Sequence, residues 1–139
     1  MFFKKDKNES SNLSKVAALL IHAAKIDENF SKNEETIIKQ ALLQIGANNE
    51  NLEKIFLDGK KIEENSNQIL EFTKEVKNME ENDKIKIVET LWRIIYSNKE
   101  ADIYETSLMR RLGGLLYIDS KLMGDIKEKI KNEIIKWLT

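Results

Sequence analysis

Oxygen-bearing side chains gather in two short stretches of this chain. The first, IDENFSKNEETII (residues 26–38), holds Asp27, Asn29, Ser31 and Glu34. A shift of 71 residues lays a second stretch under it, with Asn98 below Asp27, Glu100 below Asn29, Asp102 below Ser31 and Glu105 below Glu34. Oxygen donors at every second position are how a calcium loop begins, and hard oxygen ligands select Ca²⁺ or Mg²⁺ over zinc or copper. The EF-hand pattern then breaks, because its turn glycine would fall on Lys32 and its bidentate glutamate on Ile38. What these residue types can still build is a shallow, weak divalent-cation site at the seam of two loops. Its candidate ligands are Asp27, Asn29, Glu34, Asn98, Glu100, Asp102 and Glu105. Lys32 and Lys99 would lower its affinity by local repulsion.

The same residues also fit plain helix capping. Ser31 and Glu34 have the S-x-x-E spacing of a capping box, in which each side chain satisfies the other's free backbone N–H. Asp102 and Glu105 repeat the device with Asp as the cap. A cap of this kind contributes about 1 kcal/mol, and acidic groups there also suit the helix dipole. Capping leaves over Asp27, Asn29, Asn98 and Glu100, and those four decide whether the loops are more than turns.

Other chemistry is thin. The chain has no Cys, which excludes disulfides, thiolate zinc sites and thiol catalysis. The single His, His22, has no nucleophile beside it in the sequence and is expected to be solvated or to cap its helix. Arg110 and Arg111 are expected to be a solvated pair, a small anion contact being the alternative. No catalytic residue is assigned.

The elements that must position these residues are helices. Pro is absent, Gly is scarce, and apolar residues recur at three- and four-residue spacing. Seven stripes result. Leu13, Val16, Ala17, Leu20 and Ala24 form the first; Ile37, Ile38, Ala41, Leu42 and Ile45 form the second, which Gly46 can end. Leu52, Ile55, Phe56 and Ile62 mark a third, and Ile69, Phe72, Val76 and Met79 a fourth. Ile85, Val88, Leu91, Trp92 and Ile95 mark a fifth, with Trp92 in the core. Leu108, Met109, Leu112, Leu115 and Leu116 mark a sixth, in which Gly113 and Gly114 are expected to permit close helix approach. Beyond Asp119, a candidate N-cap, Leu122, Met123, Ile126, Ile130 and Ile134 mark the last, with Trp137 near its end. The expected fold is all-α: one bundle of about seven helices, built from two related helix-loop-helix halves.

At 139 residues and a formal charge of −1, one domain is expected, with no basic excess for nucleic acid. No run approaches the roughly 18 apolar residues of a transmembrane helix, and the N-terminus lacks a signal-peptide pattern. A cytoplasmic protein is expected, with a flexible segment at residues 1–11 and a helical domain at 12–139. Phe2, Phe3 and Lys4 could touch a membrane surface, as a lesser alternative.

The two stretches, AAKIDENFSKNEE and LWRIIYSNKEADIYE, together with RRLGGLLYID, resemble the tellurite-resistance TerB family, in its compact single-domain bacterial form. Members read A-A-D-G-x-hydrophobic-x-x-x-E in each half, with an L-W lead-in to the second. Glu28 and Lys99 stand where the family has Gly, and Asn98 where it has Asp. The resemblance implies an all-α fold, a stress or tellurite-resistance setting and no established reaction. Tellurite is an anion, so carboxylate loops would not bind it directly. The expected function is a non-enzymatic interaction or sensing module with a protein partner. Alternatives are a metal-assisted enzyme using the same acidic loops, or a membrane-peripheral, co-chaperone-like adaptor.

Overall fold

Between Val16 and Ala24, helix α1 (Phe2–Ala24) carries apolar side chains on every face. Beyond the expected stripe, Ala18, Leu19, Ile21 and Ala23 are buried too. A helix that is apolar all round has to be surrounded. Around α1 lie α2 (Lys32–Gln44), α3 (Leu52–Glu64), α4 (Leu70–Val76) and α5 (Glu81–Ser97), with α3 its most extensive neighbour. Two further helices, α6 (Ile103–Leu115) and α7 (Ser120–Leu138), complete the bundle, and α7 packs along α5. This computed structural model describes residues 2–25, 31–65, 70–97 and 103–138, with side chains described for 13–25, 31–65, 72–74, 76–96 and 107–136. All seven elements are α-helices, and no strand occurs among the described residues.

Helical backbone begins at Phe2, inside the stretch that the sequence sets apart as an N-terminal segment. Described core contributions begin later, at Leu13. The side chains of Phe2, Phe3 and Lys4 lie outside the described residues, as does that of Trp137. The fourth helix is shorter than its apolar pattern, because α4 stops at Val76 and Met79 lies in the turn beyond it.

The 71-residue step is visible in the backbone. Helices α2 and α6 are both 13 residues long, and Ile103 and Leu115 lie one step beyond Lys32 and Gln44. Each ends in the same motif, with a left-handed residue after the cap and a bond from the next N–H back to the third-last carbonyl. In the first half Gly46 has φ +134°, and the Ala47 N–H donates to the Leu42 carbonyl at 2.9 Å. In the second half Tyr117 has φ +58°, and the Ile118 N–H donates to the Gly113 carbonyl at 2.9 Å. The turns that follow also correspond, although the N-cap of α3 itself is Asn51, which makes no side-chain capping bond. Asn48 Oδ1 accepts the Asn51 N–H at 2.9 Å, and Asp119 Oδ1 accepts the Leu122 N–H at 3.0 Å, as the sequence expects for Asp119.

The halves differ in what they pack. At Gly59 of α3 a Cβ would stand 2.6 Å from the Cβ of Ala17, so glycine is what lets α3 lie against α1. The position one step on is Ile130, fully buried. Gly113 also sits at a close approach, 3.1 Å from Met123 Cγ to a notional Cβ, as its sequence context implies. Gly114 does not: a Cβ there would meet nothing within 4 Å. The expectation of close packing therefore holds for one glycine of the pair and fails for the other, which lies on the exposed side of α6.

Candidate functional site

Ser31 begins α2 in an extended conformation, φ −92° and ψ 164°, and both halves of the capping box are formed. Ser31 Oγ accepts the Glu34 N–H at 3.2 Å. Glu34 Oε1 accepts the Ser31 N–H at 3.0 Å and the Ser31 hydroxyl at 3.0 Å. One oxygen of Glu34 thus anchors the helix start, as the spacing predicts.

Its other oxygen is a different matter. Glu34 is fully buried, and Oε2 has no hydrogen-bond partner among the described residues. A carboxylate oxygen removed from water without a donor is costly, by about 1–3 kcal/mol for an ordinary polar group and more for a charged one. Capping accounts for Oε1 and not for Oε2. A buried, unmatched carboxylate oxygen is the kind of hard donor that Ca²⁺ or Mg²⁺ takes.

The other candidate ligands are placed unevenly. Asp27, Asn29, Asn98, Glu100 and Asp102 lie outside the described residues, as do Glu28 and Lys99. Glu105 is in the first turn of α6, one step on from Glu34, with its side chain outside the described set. Among the described residues no three His, Asp or Glu side chains converge on a point that could hold a metal. Glu34 is therefore the one candidate ligand whose side chain is placed.

His22 is only partly solvated and bonds to another helix instead of capping its own. Its Nδ1 lies 3.3 Å from Glu63 Oε2, its ring lies 5.8 Å from that of Phe72, and the side chain is 29% exposed. Lys25 Nζ takes the other oxygen of Glu63 at 2.6 Å. The end of α1 is thereby tied to α3 just before the first acidic stretch. Glu63 was not singled out from the sequence, since partners 38 and 41 residues away leave no local pattern.

Further along α5, Arg93 Nε donates to Glu133 of α7 at 2.9 Å. That bond, more than the surrounding charges, holds the Glu133 carboxyl below the usual glutamate range. Burial, with Glu128 nearby, pushes the Tyr96 hydroxyl up. The Arg93–Glu133 pair is a fastening between α5 and α7 rather than part of a converging site.

Seven helices in two halves related by one sequence step, with a buried acidic residue at the start of α2, define an all-α repeat domain. The chain belongs to the TerB family: the model of "Tellurite resistance protein TerB" matches residues 13–128, most of its length. No curated protein and no solved structure matches it significantly. None of the described helices is long and apolar enough to cross a membrane.

Proposed function

We propose that this TerB-family domain is a non-enzymatic interaction or sensing module of the cytoplasm, acting on a protein partner in a stress or tellurite-resistance setting. In this reading its acidic loops take a divalent cation weakly, Ca²⁺ or Mg²⁺, with Glu34 as the buried anchor. The observation that carries the cation is the second oxygen of Glu34, buried and without a partner among the described residues while the first is used by the cap. Asp27 and Asn29, and Asn98, Glu100, Asp102 and Glu105 from the second stretch, are the further ligands proposed.

Calorimetric titration with Ca²⁺, Mg²⁺ and Mn²⁺ tests the reading on wild-type protein and Glu34→Gln. Gln keeps the capping box, since that position accepts Glu or Gln, but removes the charge a cation needs. Wild-type protein is expected to bind in the micromolar-to-millimolar range of weak oxygen sites, and E34Q to give no heat. An absence of heat from the wild type removes the cation from the proposal.

A further inference from the structure

A cleft of about 440 Å³ opens between α6 and α7, in the size range of small-molecule sites. Its lining is mostly apolar and includes Trp92, Met109 and Met123. Three of the chain's five glycines, Gly113, Gly114 and Gly124, border it. The charged residues that line it, Arg110 and Lys127, are both cationic. Arg110 has no ion-pair partner among the described residues. Trp92 is 3% exposed, and its indole N–H has no acceptor among the described residues.

The 71-residue step shows what this place holds in the other half. Arg110 corresponds to Lys39, Gly124 to Glu53, Gly113 to Leu42 and Lys127 to Phe56. In the first half Lys39 is ion-paired with Glu53, and its ammonium lies 4.9 Å from the centre of the Phe56 ring. Leu42 and Phe56 are buried and fill the space between the helices. In the second half the cation persists as Arg110, while Gly124 stands for the carboxylate and Gly113 and Lys127 stand for the apolar filling. Lys127 lies over the Trp92 ring at 5.5 Å, a second cation at the same opening. At Gly114 and Gly124 a Cβ would meet nothing within 4 Å, so nothing in the packing demands glycine there.

We infer that the cleft binds a small carboxylate with an apolar body, which supplies from outside what Glu53, Leu42 and Phe56 supply within the first half. Arg110 and Lys127 hold the carboxylate. The apolar body lies against Trp92 and the two methionines, whose flexible side chains adapt to its shape. This site is separate from the acidic loops and does not depend on a cation.

The test is calorimetry on the full chain with sodium octanoate and with octanamide, which matches its shape without its charge. Octanoate is expected to bind one-to-one with Kd below about 1 mM, and octanamide roughly ten-fold more weakly or worse, as the loss of a charge-assisted contact implies. Gly124→Glu rebuilds the first half's ion pair with Arg110 and is expected to weaken octanoate about ten-fold or more, with Gly124→Gln losing less. Arg110→Gln changes only an exposed residue and is expected to weaken octanoate similarly. Melting curves confirm that each variant is folded. No heat from octanoate, equal binding of octanamide, or unchanged binding by both G124E and R110Q would each overturn the inference.

Discussion

The turn from α2 to α3 and the turn from α6 to α7 share one backbone plan and are filled differently. Both end a 13-residue helix with the same left-handed motif and hold the following turn with an Asx side chain, Asn48 or Asp119. In the first half the space beside them is closed by Leu42 and Phe56 and sealed by Lys39 with Glu53. In the second, glycines border a cleft lined by Lys127 and by Arg110, which has no ion-pair partner among the described residues. Backbone geometry is thus kept by hydrogen bonds and φ angles, which tolerate many side chains, whereas filling and charge are free to diverge.

The largest effect that separates the halves is expected at Phe56 and its counterpart Lys127. Phe56→Ala opens a cavity in the first half and should cost about 3–5 kcal/mol in chemical denaturation. Lys127→Ala, on the partly exposed side of the cleft, should stay within about 0.5 kcal/mol. Equal losses would mean that the two places are packed alike. Next comes Gly59→Val, which forces α3 away from Ala17 and is expected to cost about 1–3 kcal/mol by overpacking.

At the helix ends the expected changes are smaller and opposite in sign. Gly46→Ala places a Cβ at φ +134° and should lower stability by about 1 kcal/mol, whereas Tyr117→Gly relieves a non-glycine residue at φ +58° and should raise it by up to about 1 kcal/mol. Thermal melts of the two variants should move in opposite directions; a shared direction would break the equivalence of the two motifs. Smallest is the Arg93–Glu133 bond, partly exposed and expected to contribute no more than about 1 kcal/mol. Because the folded carboxyl is held low, its contribution is present above the ordinary glutamate range and is lost as pH falls through the lowered value. An acid titration of stability should therefore show a smaller loss below pH 4 in Glu133→Gln than in wild-type protein.

Much of the fold was legible because helices announce themselves locally. Ser31, Glu34, Gly46 and Asp119 carried their roles in their spacing, and the 71-residue step could be seen despite low identity. Contacts between helices were not legible in the same way. His22 is expected from the sequence to be solvated or to cap its helix, yet Glu63 and Phe72, far along the chain, draw it partly inward. The encirclement of α1 goes beyond a one-sided stripe, since Ala18, Leu19, Ile21 and Ala23 are buried as well. Gly113 and Gly114 look alike in sequence and differ in space, because only one faces Met123. For the acidic stretches the spacing shows the cap but not that Glu34 keeps a buried oxygen without a partner among the described residues, which depends on how α2 is packed.

The most direct test of the functional account is the melting temperature of wild-type protein and Glu34→Gln, each with EDTA and with excess Ca²⁺ or Mg²⁺. A cation bound only by the folded state raises stability in proportion to its occupancy. Wild-type protein is expected to melt higher with cation than with EDTA. E34Q is expected to show no such gain and, with the buried carboxylate replaced and the cap retained, to melt in EDTA at or above the wild type. A wild-type protein indifferent to cation, or an E34Q variant that gains as much from it, would contradict the account.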